Sequence, residues 1–137
     1  MNAILADSGF IVALGIQRDP RHEAAKRFLA SFKGEIVVPA PVVVESCYFL
    51  SSAGKMRLLD WIAKGGVTSA ELPIAAYPEI AAIIGKYSEI KPDFTDAAIV
   101  WLADKLKCRA ILTVDMRDFS VYRLKGNRRF EVVKWFD

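Results

Sequence analysis

Lys91-Pro-Asp-Phe-Thr-Asp-Ala-Ala-Ile-Val-Trp-Leu-Ala-Asp-Lys-Leu-Lys-Cys-Arg-Ala-Ile-Leu-Thr-Val-Asp-Met-Arg-Asp-Phe119 reads as a helix followed by a buried strand. Pro92 blocks any helix arriving from upstream, Asp93 or Thr95 can accept hydrogen bonds from the first free amides, and Ile99, Leu102, Ala103 and Leu106 recur at helical spacing. The helix is therefore expected to begin near Phe94, with one carboxylate in its first turns, Asp96, and another just after the strand, Asp115. Asp96 lies three residues before Ile99 and seven before Ala103, on the face the helix buries. An acid there either complements the helix dipole, worth roughly 0.3–1 kcal/mol, or serves chemistry.

Working outward, the other elements alternate in kind. Asn2 to Ala6 is a short apolar run without alternation, as in a central strand of a parallel sheet, and it stops at Asp7. Ser8 can cap a helix with an apolar face of Phe10, Ile11, Leu14 and Ile16; a second helix spans about His22 to Phe32 and closes at Gly34. Glu35 to Val38 is a second buried strand, and Pro39-Ala-Pro41 turns the chain into a third helix. Glu45 is the only charged residue from Ile36 through Gly54, and an ionised carboxylate is costly to bury without a partner. A helix from Lys55 to Lys64, a more polar strand from Val67 to Leu72, a helix from Ala75 to Tyr87, and an alternating last strand from Phe130 to Phe136 complete the pattern. The Tyr122 to Arg129 stretch reads as a basic loop.

This alternation predicts one α/β domain over residues 1–137, a sandwich built on a mainly parallel sheet. No segment approaches the ~20 apolar residues of a membrane span and no signal peptide is visible, so a soluble, cytoplasmic protein is expected. Cys47 and Cys108 lack metal-type spacing and read as reduced and structural. The net charge of +3 is uneven: Lys105 to Lys134 holds nine basic and three acidic residues, a net of +6, which leaves −3 on the remainder and points to a polyanionic partner. Tyr48, Phe49, Leu50, Met56, Leu59, Trp61 and Ile62 supply more apolar surface than one core face can bury, which predicts a partner groove.

In a parallel sheet, polar sites form beyond the C-terminal ends of strands where the strand order reverses. Asp7 and Asp115 follow strands there, and Glu45 and Asp96 lie near the starts of helices entered at that edge, so four acids from distant parts of the chain can converge. Converging carboxylates repel and need a cation, and hard oxygen donors suit Mg²⁺ or Mn²⁺. The single histidine, His22, disfavours zinc and a Ser/His/Asp triad alike. A divalent ion beside a basic C-terminal third is the layout of a phosphodiesterase acting on nucleic acid.

The pieces Ile4-Leu-Ala-Asp7-Ser8, Val44-Glu45, Asp93-Phe-Thr-Asp96-Ala97, Leu112-Thr-Val-Asp115-Met-Arg-Asp118-Phe119 and Ser120-Val-Tyr-Arg123 resemble, in order, spacing and residue type, the PIN-domain ribonucleases, above all the VapC-type toxins of toxin–antitoxin pairs. The resemblance covers nearly the whole chain. It implies a three-layer α/β/α sandwich with a five-stranded sheet in order 3-2-1-4-5, Mg²⁺ or Mn²⁺, an RNA substrate, a homodimer, and an antitoxin protein that covers the site. It also implies that Asp7, Glu45, Asp96 and Asp115 are the catalytic, metal-binding acids, with Asp93, Asp118, Ser8 and Thr113 as accessories. Arg117, Arg123, Arg128 and Arg129 are expected to hold RNA phosphates. Ala6 and Ser8-Gly9 depart from the usual start of the family without removing a ligand. The alternatives are an RNA-processing PIN nuclease without antitoxin and a PIN domain that binds without cutting. A phosphoacceptor receiver module is disfavoured, because it needs an acidic pair on the first loop and an Asp after the third strand, where this chain has one acid and Leu72-Pro73.

Overall fold

The computed structural model describes residues 2–137. In chain order its elements are β1 (Ala3–Ala6), α1 (Ser8–Gly15), α2 (His22–Ser31), β2 (Glu35–Pro39), α3 (Ala40–Cys47), α4 (Ser52–Ala63), β3 (Thr68–Ala70), α5 (Ala76–Lys86), a 3₁₀ turn (Ser88–Ile90), α6 (Phe94–Leu106), β4 (Ala110–Leu112), α7 (Met116–Val121), the short strands β5 (Arg123–Leu124) and β6 (Arg128–Arg129), and β7 (Glu131–Val132). Five strands form one parallel sheet in the order β3-β2-β1-β4-β7, with Leu5 opposite both Val37 and Ile111. This is the expected order, with β7 as the fifth strand. Ile4, Leu5, Val37, Val38, Ile111 and Leu112 are buried, which explains why these strands show apolar runs rather than alternation. The connections β1–β2 and β2–β3 step one way across the sheet and β3–β4 and β4–β7 the other, so right-handed crossovers place helices on both faces.

The strand order reverses between β1 and β4, and a crevice opens beyond their C-terminal ends. The two ends are clasped by the Asp7 amide, which donates to the Leu112 carbonyl at 2.9 Å. Helix α6 packs against α5, α3, β2 and β5, and every residue from Thr95 to Ala103 is buried. The sequence pattern suggests a single buried face ending at Leu106; instead every residue from Thr95 to Ala103 is buried, whatever face it lies on, and Phe94 and Leu106 are exposed. All-round burial of that kind leaves little periodicity to read.

Local chemistry moves several boundaries. Asp7, not Ser8, caps α1, its carboxylate accepting from the Ser8 amide, and Ile16 lies past the end of that helix. Ser51 starts α4 earlier than Lys55 by accepting from the Gly54 amide. Asp115 caps α7, a helix the sequence pattern did not suggest. The stretch read as a loop contains the β5–β6 hairpin, whose turn uses Gly126 and Asn127 at positive φ. Asp104 is tied to that hairpin by accepting from the Lys125 amide at 2.7 Å. Of the seven apolar residues expected to exceed the core, Tyr48, Phe49, Met56 and Leu59 are exposed, whereas Leu50 is buried and Trp61 and Ile62 pack against the core.

The last strand is also shorter than its alternation predicts. After Val133 the chain leaves the ladder so that Trp135 can pack edge-on against Phe10, with ring centroids 5.0 Å apart, and donate from Nε1 to the Thr113 carbonyl at 3.2 Å. Trp135→Phe replaces the indole with a smaller phenyl ring and leaves the Thr113 carbonyl without its donor beside the crevice. Urea unfolding should show a loss of about 1–3 kcal/mol at unchanged m. An unchanged midpoint would mean that this bond does not hold the C-terminal segment.

Candidate functional site

Each acid reaches the crevice on a different element, and each is held by a donor that its local fold supplies. Asp7 is the first residue past β1; its Oδ1 accepts from the Ser8 amide at 2.7 Å and its Oδ2 from the Thr113 hydroxyl at 3.2 Å. The same Thr113 oxygen accepts from the Asp115 amide at 2.9 Å, so one buried hydroxyl bridges the ends of β1 and β4. Glu45, on α3, accepts from the Ser8 hydroxyl. Asp93 caps α6 by accepting from the Asp96 amide at 2.8 Å, and this turns the Asp96 side chain inward. Asp96 then accepts from the Tyr122 hydroxyl at 3.2 Å. Asp115 accepts from the Asp118 amide at 3.2 Å, which brings two acids of one short helix to the same mouth.

All four acids expected to converge line a single cavity of about 550 Å³, together with Ser8, Asp93 and Asp118. Thr113 supports the cavity from behind. The tightest cluster differs from the expected set of four: one carboxylate oxygen from each of Asp96, Asp115 and Asp118 lies within 4.8 Å of the others. Asp118, expected only as an accessory, is therefore a member of this tightest cluster.

Burial, then the charges of Asp7, Asp93 and Asp115, push the Asp96 carboxyl up to about 8, against the opposing Tyr122 bond. Burial raises Asp7 to about 6; Glu45 and Asp93 add to the rise, and the bonds from Ser8 and Thr113 oppose it. Burial and the Asp115 charge also raise Asp118. Tyr122 is pushed upward by burial and by the Asp96 charge, so its hydroxyl remains a donor. Among the described residues the ion pairs are Lys26–Glu23, Lys64–Asp60 and Lys105–Glu79, none of which touches these acids. The cavity therefore concentrates hard-oxygen donors that no ion pair among the described residues engages, and this donor set fits a divalent cation.

The basic residues distribute differently from expectation. Arg117 lies close enough to Asp118 to lower its pKa and faces a hollow shared with Asp115. Arg123 is turned inward, its Nη1 donating to the carbonyls of Ser120, Val121 and Tyr122 at the end of α7. Arg128 and Arg129 lie on β6, just before the residues that pair with the start of β4, at the opposite end of the sheet from the acids. The cavity is instead lined by Arg21 and Lys91, which the sequence reading did not single out. Lys91 takes a left-handed conformation, φ 51°, just before Pro92. Only that departure from ordinary backbone marks it, and no local pattern announces it. Tyr122 was also missed as a site residue; no local pattern connects it to Asp96. His22 binds the Ala13 carbonyl through Nδ1 at 2.7 Å and does not line the acidic cavity.

Comparison with known proteins agrees with this architecture. The chain is 31% identical over 134 residues to ribonuclease VapC26 of Mycobacterium tuberculosis, an alignment that covers 95% of this chain and 99% of that protein. Its fold matches the crystal structure of VapC20 from the same organism, described as a sarcin-ricin loop cleaving toxin, with a TM-score of 0.72 at 20% identity over 80% of this chain and 86% of that one. The PIN domain family model matches residues 4–124, a span that runs from β1 to β5 and includes every acid of the cavity, so the chain belongs to the PIN domain family.

Proposed function

We propose that this protein is an endoribonuclease that hydrolyses RNA phosphodiester bonds with Mg²⁺ or Mn²⁺, and that it is the toxin of a VapBC-type toxin–antitoxin pair acting in the cytoplasm. The observation that carries the reading is the cluster of Asp96, Asp115 and Asp118 oxygens, with Asp7 and Glu45 beside it and no ion pair to any of these acids among the described residues. The 31% identity to a ribonuclease over nearly the full length of both chains supports it.

Asp96, Asp115 and Asp118 hold the cation, with Asp7 completing the negative wall. When bound, the ion supplies Lewis-acid stabilisation for the charge that builds on phosphoryl oxygens and makes water a stronger acid. Tyr122 fixes the Asp96 carboxylate, and Thr113 fixes Asp7 relative to Asp115. Glu45, half-buried and anchored through the Ser8 hydroxyl, is placed to accept a proton from attacking water. A cognate antitoxin covers the exposed Phe49, Met56 and Leu59 region. A homodimer forms through the exposed Val44, Tyr48, Tyr77 and Phe94. Mapping RNA ends in cells expressing the wild type beside Asp7→Asn tests the activity; identical end profiles would remove it.

Asp96→Asn keeps the shape and removes a charge. It should lower metal-dependent cleavage by at least ~100-fold while the metal-free melting temperature holds or rises. Asp104→Asn, which keeps an acceptor for the Lys125 amide, should do neither. An Asp96→Asn protein that cleaves at the wild-type rate takes this acid out of the mechanism.

Stability should carry the same signature. Asp7 and Asp96 both bind protons more tightly in the folded chain than at the ordinary value of 3.8, Asp7 up to about 6 and Asp96 up to about 8. Through that window the folded state holds more protons than the unfolded state, so metal-free stability falls as pH rises. The Asp96→Asn protein should therefore gain on the wild type between about pH 4 and about pH 8, by an amount on the order of a few kcal/mol, and Mg²⁺ should close the gap. A pH-independent difference in chemical denaturation would contradict these shifts.

Removing a group that orients a ligand typically costs about 10–100-fold in metal affinity. Tyr122→Phe should reach the lower end of that range, read as a weaker Mn²⁺-induced rise in melting temperature. Tyr87, which packs edge-on against Tyr122 and accepts from the Arg123 amide, is the comparison: Tyr87→Phe should cost stability without changing Mn²⁺ affinity. Equal affinities in both variants would make Tyr122 merely structural.

A further inference from the structure

Next to the acidic cavity lies a second hollow that shares Arg21, Val114 and Asp115 with it. Its apolar lining is Val114, Met116, Val132 and Phe136, and its charged lining is Arg21, Arg117 and Lys134 against the two acids Asp115 and Asp137. None of the three cations is in an ion pair among the described residues. Arg21 is the best held: its guanidinium carbon lies 4.4 Å above the centre of the Phe136 ring, while its buried Nε has no hydrogen-bond partner. Stacking on the ring holds the guanidinium in a fixed plane at the edge of the hollow, where its terminal N–H groups, rather than the buried Nε, are the donors for an anionic group.

We infer that this hollow is a nucleotide subsite, which takes the part of a single RNA strand immediately to one side of the scissile phosphate. The inference rests on the ribonuclease reading above and extends it by giving the strand a direction out of the acidic cavity. Charge and surface chemistry select the occupant. A base has an apolar face to lay on Val114, Met116 and Val132, and the flanking phosphates meet Arg21, Arg117 and Lys134. The subsite lies beside the metal-binding acids, so a phosphate held by Arg21 places its neighbour over Asp96, Asp115 and Asp118. Arg128 and Arg129, at the far end of the sheet, lie outside this path.

The test uses a fluorescein-labelled RNA tetranucleotide, too short to leave the neighbourhood of the site, and Mn²⁺ throughout. Binding is read by anisotropy across a salt series in an Asp96→Asn background, and cleavage is read in the otherwise wild-type protein with the tetranucleotide and a dinucleotide. The substitutions Arg21→Gln, Arg117→Gln and Lys134→Gln together should weaken tetranucleotide binding at least about tenfold and flatten the logarithmic salt slope by about 1.4, since a tetranucleotide carries two phosphates besides the scissile one and each neutralised on a single strand contributes roughly 0.7. They should also abolish the advantage in kcat/KM that the tetranucleotide holds over the dinucleotide. The pair Arg128→Gln and Arg129→Gln removes comparable charge and should change neither measurement. Unchanged binding and slope in the triple variant, or an equal loss in the Arg128/Arg129 pair, overturns the subsite. Failure of the wild type to cleave either RNA while anisotropy still depends on Arg21, Arg117 and Lys134 overturns the ribonuclease reading and leaves the hollow as an RNA-binding surface.

Discussion

Carboxyl groups crowded together and buried without an ion-pair partner are the constraint around which this molecule is built. Asp7 and Asp96 are each at least nine-tenths buried, and no lysine or arginine among the described residues pairs with them. Such an arrangement opposes folding and survives only because the surrounding structure is strongly favourable. The helix that carries Asp96 is buried from Thr95 to Ala103, and the strands that end at Asp7 and Asp115 are buried on both faces. The polar atoms close to the acids are nearly all donors: the amides of Ser8, Asp96 and Asp118, and the hydroxyls of Ser8, Thr113 and Tyr122. Every donor fixes a carboxylate, and none cancels its charge.

Much of this was legible because it depends on local pattern. Apolar runs ending in Asp7 and Asp115 mark strand ends, the lone Glu45 marks an acid that needs a reason, and Pro92 followed by Asp93 marks a helix start; the structure places all of them at one crevice. What escaped depends on partners far away in sequence. Tyr122, absent from the expected site residues, meets Asp96 across 26 residues, and Thr113, expected as an accessory, takes its role only through Asp7, 106 residues away. Gly9 is another case: a Cβ there would lie 2.6 Å from Val114, so the glycine lets α1 approach the loop after β4 closely, a packing requirement invisible from the residue alone. Asp7 and Asp115 also cap α1 and α7, a second role for each carboxylate that its residue type alone does not distinguish from a site acid.

Charge summed along the chain was a weaker guide than charge placed in space. The basic C-terminal third is real, but Arg123 spends its guanidinium on three backbone carbonyls, and Arg128 and Arg129 point away from the acids on the far hairpin. Arg21 and Lys91, from outside that third, reach the cavity instead. A net of +6 in one segment therefore described composition, while the field near the site is set by a few residues brought in by turns.

Asp115 has a further consequence for local order. Its carboxylate is both the N-cap of α7 and one of the three clustered oxygen donors. A six-residue helix has little stability of its own, so its opening and closing depend heavily on that cap and on burial of Phe119. At its far end the helix delivers Tyr122 to Asp96, which returns to the same cluster. Cap, helix, tyrosine and acid thus form a closed circuit, in which fraying of α7 releases Asp115, Asp118 and the Tyr122 bond to Asp96 together, so the geometry of all three clustered acids depends on the order of one short segment.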